Sequence, residues 1–279
     1  MPELPEVETI RRQLAPLVEG RVVERLEIAD PRWCLPLAPA AIVDAVQGRT
    51  VQRLARRGKY LVWALEDEAF LLMHLRMTGT LLYDAPPGTP YERVRWTLDD
   101  GHELRFCDPR RFGTGELALG TPARDAFFAA RLGLEPLDGE LTGEALRRMA
   151  RGRRAPVKAF LLDQRRIAGV GNIYADEALW RARVHPLRPA GELGEDELRA
   201  LHRGIRAALK AAIARQGATL RDYRMPDGGS GRMQHEFKVY GREGEPCERC
   251  GRPIEKIRAG GRGTWFCPSC QPFDGTTST

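Results

Sequence analysis

Two cysteine pairs near the end of the chain, "CERC" from Cys247 and "CPSC" from Cys267, set the hardest constraint on how it can fold. Sixteen residues separate Cys250 from Cys267, so the pattern is CxxC-x16-CxxC. Each CxxC can hold two thiolates on one tight turn. Two such turns complete a tetrahedral Zn²⁺ site at Cys247, Cys250, Cys267 and Cys270. The alternatives are two disulfides or a redox pair. The absence of a secretion signal argues against disulfides, and a redox CxxC usually comes singly. Four cysteines leave no open coordination position, so one zinc here is structural. The intervening "GRPIEKIRAGGRGTWF" is expected to form a small β-hairpin with Arg258 and Arg262 at its tip. Such a tip can read a phosphate or a base, or can simply stand in solvent. Cys34 and Cys107 have no such partners and read as ordinary core or surface residues.

At 279 residues with 42% hydrophobic content, the chain is long enough for one large domain or for two with a small module. No stretch approaches 18 uncharged apolar residues, so no membrane span is expected. No basic and apolar leader opens the chain, and a cytoplasmic, nucleoid-associated location is the expectation. Lys and Arg number 44 against 38 Asp and Glu, a net charge of +6. That excess alone decides little, but its distribution says more. Arg53, Arg56, Arg57 and Lys59 cluster in "RLARRGKY", and Arg147, Arg148, Arg151, Arg153, Arg154 and Lys158 in "RRMARGRRAPVK". Acids gather elsewhere, as in "GELGEDEL". Segregated positive charge fits a polyanionic partner.

The first residues, "MPELPEVETIRR", predict a helix over 4–19 with Leu4, Val7, Ile10, Leu14 and Leu17 on one face and Gly20 just past its end. Short β-rich runs follow: "RVVERLEIA", "YLVWAL", "AFLLMHLRM", "ERVRWTL" and "HELRFCD". Turn signals separate them, and strands in succession without intervening helices predict an antiparallel sandwich. From about residue 131 the pattern turns helical, and Leu198, Leu201, Ile205, Leu209 and Ile213 keep helical spacing. "LLDQRRIAGVGNIYADEALW" reads as helix, glycine turn, helix, with Asn172 placed to cap the second helix. A glycine turn entering a helix suits a phosphate, or is a plain packing element. The glycine-rich "PDGGSGRM" precedes the cysteine module, and "PFDGTTST" reads as a disordered tail.

Two features stay open on residues alone. Pro2 becomes a secondary amine if Met1 is removed. Such an amine can attack an aldehyde-like carbon and form an iminium, with Glu3 beside it to move protons. Equally, "PELPE" can merely start a helix. In "HLRMTG" and "DPRRFG", Met77, Arg110 and Phe112 lie near loops. An apolar wedge beside an arginine can enter a base stack, or Met77 and Phe112 can be core.

Seven segments in order, "PELPEVET", "RRGKYL", "HLRMTG", "DPRRFG", "LLDQRRIAGVGNIYADEAL", "VYGREGEPCERCG" and "GGRGTWFCPSCQ", closely resemble bacterial formamidopyrimidine-DNA glycosylase over residues 1 to about 271. The resemblance implies an α+β protein: an N-terminal antiparallel β-sandwich flanked by helices, a helical domain with a helix–two-turn–helix, and a C-terminal β-hairpin zinc finger, with DNA in the cleft between. The corresponding boundaries are 1–130, 131–237 (which includes a lesion loop) and 238–272, with a tail at 273–279. It implies a monomer that binds double-stranded DNA containing damaged bases and excises oxidised purines.

By motif match, Pro2 resembles the nucleophile that attacks C1′. Glu3 resembles the proton donor for ring opening and base loss, and Glu6 a supporting acid. Lys59 resembles the proton donor for β-elimination, and Arg262 the residue linked to δ-elimination and phosphate binding. Met77, Arg110 and Phe112 resemble the triad that fills the void of a flipped base, with Arg110 facing the orphaned cytosine. Lys158, Asn172 and Tyr240 match phosphate contacts. Arg153 belongs to the basic run, and Tyr91 stands near a DNA-contacting histidine of the family. Residues 217–235 resemble a flexible lid. The chain departs from the family at Arg76, where "HLGMSG" carries glycine. "PELPEVET" favours oxidised purines over the endonuclease VIII-like relatives, which begin "PEGPE". A non-catalytic zinc-dependent DNA-binding protein is the third alternative, and Pro2, Glu3 and Lys59 argue against it.

Overall fold

A computed structural model describes residues 2–273. The expected tail lies, from residue 274 on, outside the described residues, as does Met1. The chain divides into two compact units, Met1–Arg131 with Ile213–Gln234, and Leu132–Ala212 with His235–Thr279.

The first unit opens with α1 (Leu4–Val18). Leu4, Val7, Ile10 and Leu14 are fully buried along one stripe, as their spacing predicts. Leu17 does not join them: it is 39% exposed, and Val18 takes its place with no exposure. With 3.6 residues per turn, the stripe here steps by four rather than three after Leu14. The strands are β1 (Val23–Ile28), β2 (Val51–Arg57), β3 (Tyr60–Leu65), β4 (Ala69–His74), β5 (Thr80–Tyr83), β6 (Glu92–Leu98), β7 (Glu103–Cys107) and β8 (Thr114–Leu119). They form two four-stranded antiparallel sheets, ordered β1-β6-β7-β5 and β2-β3-β4-β8. Between the sheets Trp63 of β3 stacks on Trp96 of β6, centroids 5.7 Å apart and planes within 3°. Trp33 meets Trp96 edge-on at 6.0 Å. Buried aromatic pairs of this kind contribute about 0.5–1.5 kcal/mol each beyond their area.

The strands are not uninterrupted. Helix α2 (Pro39–Val46) separates β1 from β2, and α3 (Thr121–Ala129) follows β8. Both begin with proline in the first turn. They are too short for a clear 3.6-residue pattern, which is why spacing alone passed over them.

The second unit contains α4 (Gly143–Ala150), α5 (Val157–Leu162), α6 (Asn172–Ala182) and most of α7 (Glu195–Ala214). Leu198, Leu201, Ile205 and Leu209 are buried along α7. The turn between α5 and α6 is stitched by Gln164. Its Nε2 donates to Leu162 O and Val170 O at 3.0 and 2.7 Å, and its Oε1 accepts from Gly169 N at 2.9 Å. Strands β9 (Glu255–Ala259) and β10 (Arg262–Phe266) pair antiparallel, giving the expected hairpin. Its two-residue turn is Gly260–Gly261, with φ of +56° and +75°. A turn with both central residues left-handed matches strand twist and favours glycine. Among the described residues, no helix is long and apolar enough to cross a membrane.

Candidate active site

Pro2 and Glu3 are buried at the very start of α1. Glu6, one turn on, fixes them. Its Oε2 accepts from Glu3 N at 2.8 Å in the manner of a capping box. Its Oε1 accepts from Ala218 N at 2.8 Å, and Tyr223 donates its hydroxyl to Glu6 O at 3.4 Å. Gly217, at φ +77°, allows this approach, since a Cβ there would lie 2.8 Å from Glu6 Cγ. Residues 217–225 are therefore tied to the chain start, and Tyr223 and Met225 are buried in the core of this unit. The expected lid begins as an anchored segment.

Lys59 sits in the β2–β3 turn and is only 5% exposed. The turn is drawn to α1 by Arg56, whose Nε lies 3.2 Å from Glu8 Oε2 and whose Nη1 donates to Gly58 O at 3.0 Å. Near it, burial together with the charges of Arg76 and Lys59 pushes the buried His74 down to about 3. His74 is thus neutral, and its Nδ1 accepts from Arg76 N at 2.9 Å. Arg76 adopts φ +54°, the conformation that the family's glycine would reach without strain.

Met77, Arg110 and Phe112 lie on two loops organised by one residue that the motif reading passed over. Asp108 has no exposure. Its Oδ2 accepts from Phe112 N at 2.9 Å and Gly113 N at 2.7 Å, and its Oδ1 accepts from Arg110 N at 3.2 Å and from the Thr78 hydroxyl. An aspartate heading "DPRRFG" is a turn signal, and that was the available clue. Phe112 is 50% exposed, so it is not core, and the Arg110 guanidinium lies 4.7 Å from its ring centroid. Met77 is half-buried. Tyr91 is 57% exposed at φ +64°, its carbonyl accepting from Asp108 N at 3.0 Å.

In the second unit Arg262 is exposed beside the hairpin turn, and Arg153 is exposed on the loop after α4. Asn172 does not cap α6 as its position suggested. Gly171 is the N-cap residue, and Asn172 Nδ2 instead donates to Gly263 O at 3.1 Å. Tyr240 is half-buried with its ring 4.5 Å from that of Trp265. The buried Glu177 sets its backbone: Oε1 accepts from Lys238, Val239 and Tyr240 amides at 2.9, 3.0 and 3.2 Å. Lys158, expected at a phosphate, has no accessible surface. Its Nζ lies 2.7 Å from Asp176 Oδ1 and donates to Gly263 O at 2.9 Å and Thr264 Oγ1 at 2.7 Å. With no exposure and these contacts, Lys158 in this structure meets protein rather than solvent. Asp176 and Glu177 were legible only as acids on a helix buried on nearly every side.

The sulfurs of Cys247, Cys250, Cys267 and Cys270 all lie within 4.8 Å of one another. A tetrahedral zinc with Zn–S of about 2.3 Å needs sulfurs roughly 3.8 Å apart. Cys247 to Cys270 is 3.9 Å and Cys250 to Cys267 is 3.4 Å, which fits. Around them, Trp180 Nε1 donates to Cys247 Sγ and Cys270 N to Cys267 Sγ, outer hydrogen bonds of the kind that favour thiolate ligands. Four thiolates close the coordination sphere, so the site holds one structural zinc.

Residues 1–115 match the family described as the formamidopyrimidine-DNA glycosylase N-terminal domain, 132–224 the formamidopyrimidine-DNA glycosylase H2TH domain, and 244–272 the zinc finger found in FPG and IleRS. The formamidopyrimidine-DNA glycosylase of Alkalilimnicola ehrlichii is 45% identical over 97% of this chain and 100% of its own. That of Roseiflexus is 46% identical over 97% and 100%. Among solved structures, the MutM (FPG) protein of Thermus thermophilus superposes with TM-score 0.87 at 45% identity, covering 97% of this chain and 98% of that one. The Lactococcus lactis Fpg in complex with DNA containing an abasic site gives 0.90 at 37% identity, covering 97% and 100%. With a capped proline–glutamate start, an arginine–phenylalanine loop and a four-cysteine hairpin module all in place, and relatives matched from end to end, this chain belongs to the formamidopyrimidine-DNA glycosylase family.

Proposed function

We propose that the protein is a bifunctional DNA glycosylase and lyase that removes oxidised purines, 8-oxoguanine and formamidopyrimidines, from duplex DNA in base excision repair. The observation that carries this reading is the start of α1. There Glu6 holds the Glu3 amide at 2.8 Å and so fixes the backbone next to Pro2. Once Met1 is removed, the Pro2 nitrogen attacks C1′ and the damaged base departs with the glycosidic electron pair. Glu3 protonates O4′ as the C1′–O4′ bond breaks, leaving an iminium. The iminium draws electrons from C2′. A proton leaves there, the C3′–O3′ bond breaks, and Lys59 serves as proton donor in this β-elimination. Loss of a proton from C4′ then breaks C5′–O5′, the δ-elimination to which Arg262 is assigned. Water hydrolyses the iminium and frees Pro2.

Met77, Arg110 and Phe112 fill the void left by the flipped nucleotide, with Arg110 against the orphaned cytosine. Asn172 and Tyr240 contact phosphates, and Arg153 and Tyr91 lie at the margins of the bound duplex. The functional modules are 1–130 for chemistry, 131–237 for the helix–two-turn–helix and lesion loop, and 238–272 for the zinc finger. The protein acts as a monomer at the cytoplasmic nucleoid.

Borohydride trapping tests this. Duplexes carrying 8-oxoguanine opposite C, or an oxidised pyrimidine, are incubated with protein whose intact mass shows Met1 removed, and the adduct is located by peptide mass mapping. An adduct at residue 2 with the 8-oxoguanine duplex is the expected result. Adduct with the pyrimidine duplex only assigns an endonuclease VIII-like specificity. No adduct with either leaves a DNA-binding protein without this chemistry.

A further inference from the structure

Lys158 and Asp176 form an ion pair that is 0% exposed on both sides. Burial pushes the Asp176 carboxyl up, against the pull of Lys158. Such a pair is a costly way to fill space, because two apolar side chains of similar volume often stabilise a fold as well or better. What distinguishes the pair is the number of consecutive residues it holds. Trp265 N donates to Asp176 Oδ2 at 3.1 Å. Lys158 Nζ donates to Thr264 Oγ1 at 2.7 Å and to Gly263 O at 2.9 Å. The Thr264 hydroxyl in turn donates to Arg262 O at 3.1 Å. Asn172 Nδ2 adds a second donor to Gly263 O at 3.1 Å. The backbone from Arg262 to Trp265 is therefore bonded, directly or through Thr264, to two charged groups on α5 and α6. The Arg262 side chain itself stays exposed. At the turn, a Cβ on Gly260 would meet Ala159 Cβ of α5 at 3.2 Å, so the hairpin tip also seats closely against that helix.

We propose that Lys158 and Asp176 are positioning residues for Arg262. The buried pair ties β10 to α5 and α6, so that the guanidinium is presented from a fixed backbone. This rests on the assignment of Arg262 to δ-elimination. It gives Lys158 a role through protein contacts, where a direct phosphate contact was expected. An arginine offered from a loosely held two-stranded ribbon would lose much of the benefit of orientation, because small displacements of a catalytic group cost rate steeply. Pro2 belongs to the first unit and the pair to the second, so loss of the pair should separate the two eliminations.

The experiment uses zinc-loaded, full-length protein on a duplex with a preformed abasic site, and reads the ratio of δ- to β-elimination products. Lys158→Met and Asp176→Asn should each lower that ratio about tenfold or more, while borohydride trapping at Pro2 stays within about twofold of the parent. Lys158→Arg, which keeps the charge, should recover part of the ratio. The double variant Lys158→Met/Asp176→Leu removes both charges and should regain thermal stability, yet keep the low ratio. A merely structural pair would recover both together, and that result overturns the proposal. Arg262→Ala is the reference. If it lowers the ratio while the pair variants leave it at the parent value with zinc bound, the positioning role is wrong. If Arg262→Ala itself leaves the ratio unchanged, the assignment of Arg262 falls and the role of the pair falls with it.

Discussion

Glu8 shows how one carboxylate can join elements far apart in the chain. It accepts from Arg12 Nε at 2.7 Å, from Arg11 Nη2 at 2.8 Å and from Arg56 Nε at 3.2 Å, so α1 is linked to the strand that leads into Lys59. Burial would raise its pKa, but the bonds from Arg11 and Arg12 and the charges of Arg11 and Arg56 outweigh burial and hold it down to about 2. Because the folded value lies below the ordinary 4.5, the carboxylate's contribution is complete above about pH 4.5 and is lost as pH falls towards 2. Glu8→Gln should lower stability at pH 7 by about 2 kcal/mol, a figure reduced for partial solvent screening. Urea titrations of both proteins should show the gap closing between pH 4.5 and 2, and a gap independent of pH would contradict the ion-pair account.

At the scale of elements, Asp108 and Phe112 divide stability from function within one loop. Asp108 is buried and accepts from three backbone amides, at Arg110, Phe112 and Gly113. Asp108→Ala leaves those donors without their carboxylate and should cost roughly 2–4 kcal/mol, measured as a lowered urea midpoint. Arg111 on the same loop adopts φ +57° while donating to Asp30 Oδ1 at 2.7 Å from Nη2, a conformation the loop holds through its side-chain bonds. Phe112 projects outward at 50% exposure. Phe112→Ala should leave stability within about 0.5 kcal/mol. It should nevertheless weaken extrusion of the damaged base, read by a fluorescent base analogue beside the lesion, more than it weakens binding to undamaged duplex. Equal losses in the two assays would place Phe112 outside the wedge.

For the molecule as a whole, the zinc module matters as a part with a small core. Its buried cluster is Trp180, Val239, Cys247, Ile254 and Cys267, and two of those five are metal ligands. A core that small depends on the metal for its folding free energy. Chelation with verified zinc loss should abolish duplex binding in a filter or anisotropy assay while the tryptophan-lined sandwich keeps its own thermal transition. Unchanged affinity without zinc would refute the dependence. In the holoprotein, log affinity for undamaged duplex should fall with log salt by about 0.9 per neutralised phosphate.

Much of this was legible in the residues. The four-cysteine spacing named the metal module and the hairpin between its two pairs, and the stripe Leu4, Val7, Ile10 and Leu14 named the first helix. These features are local, set by the period of a helix or the bite of a CxxC. The motif order added the candidates for chemistry, because residue type and neighbourhood recur with function. What only the tertiary structure decided is which polar groups face one another across long sequence separations. Nothing in the order of residues pairs Lys158 with Asp176 and Thr264, turns Asn172 from a helix cap to a donor for Gly263, or sets Glu6 against Ala218. The choice of Val18 over Leu17 for the core was also made there. Such choices depend on burial, and burial is a property of the packed whole. A polar side chain carries the same letter whether water or another buried group satisfies it.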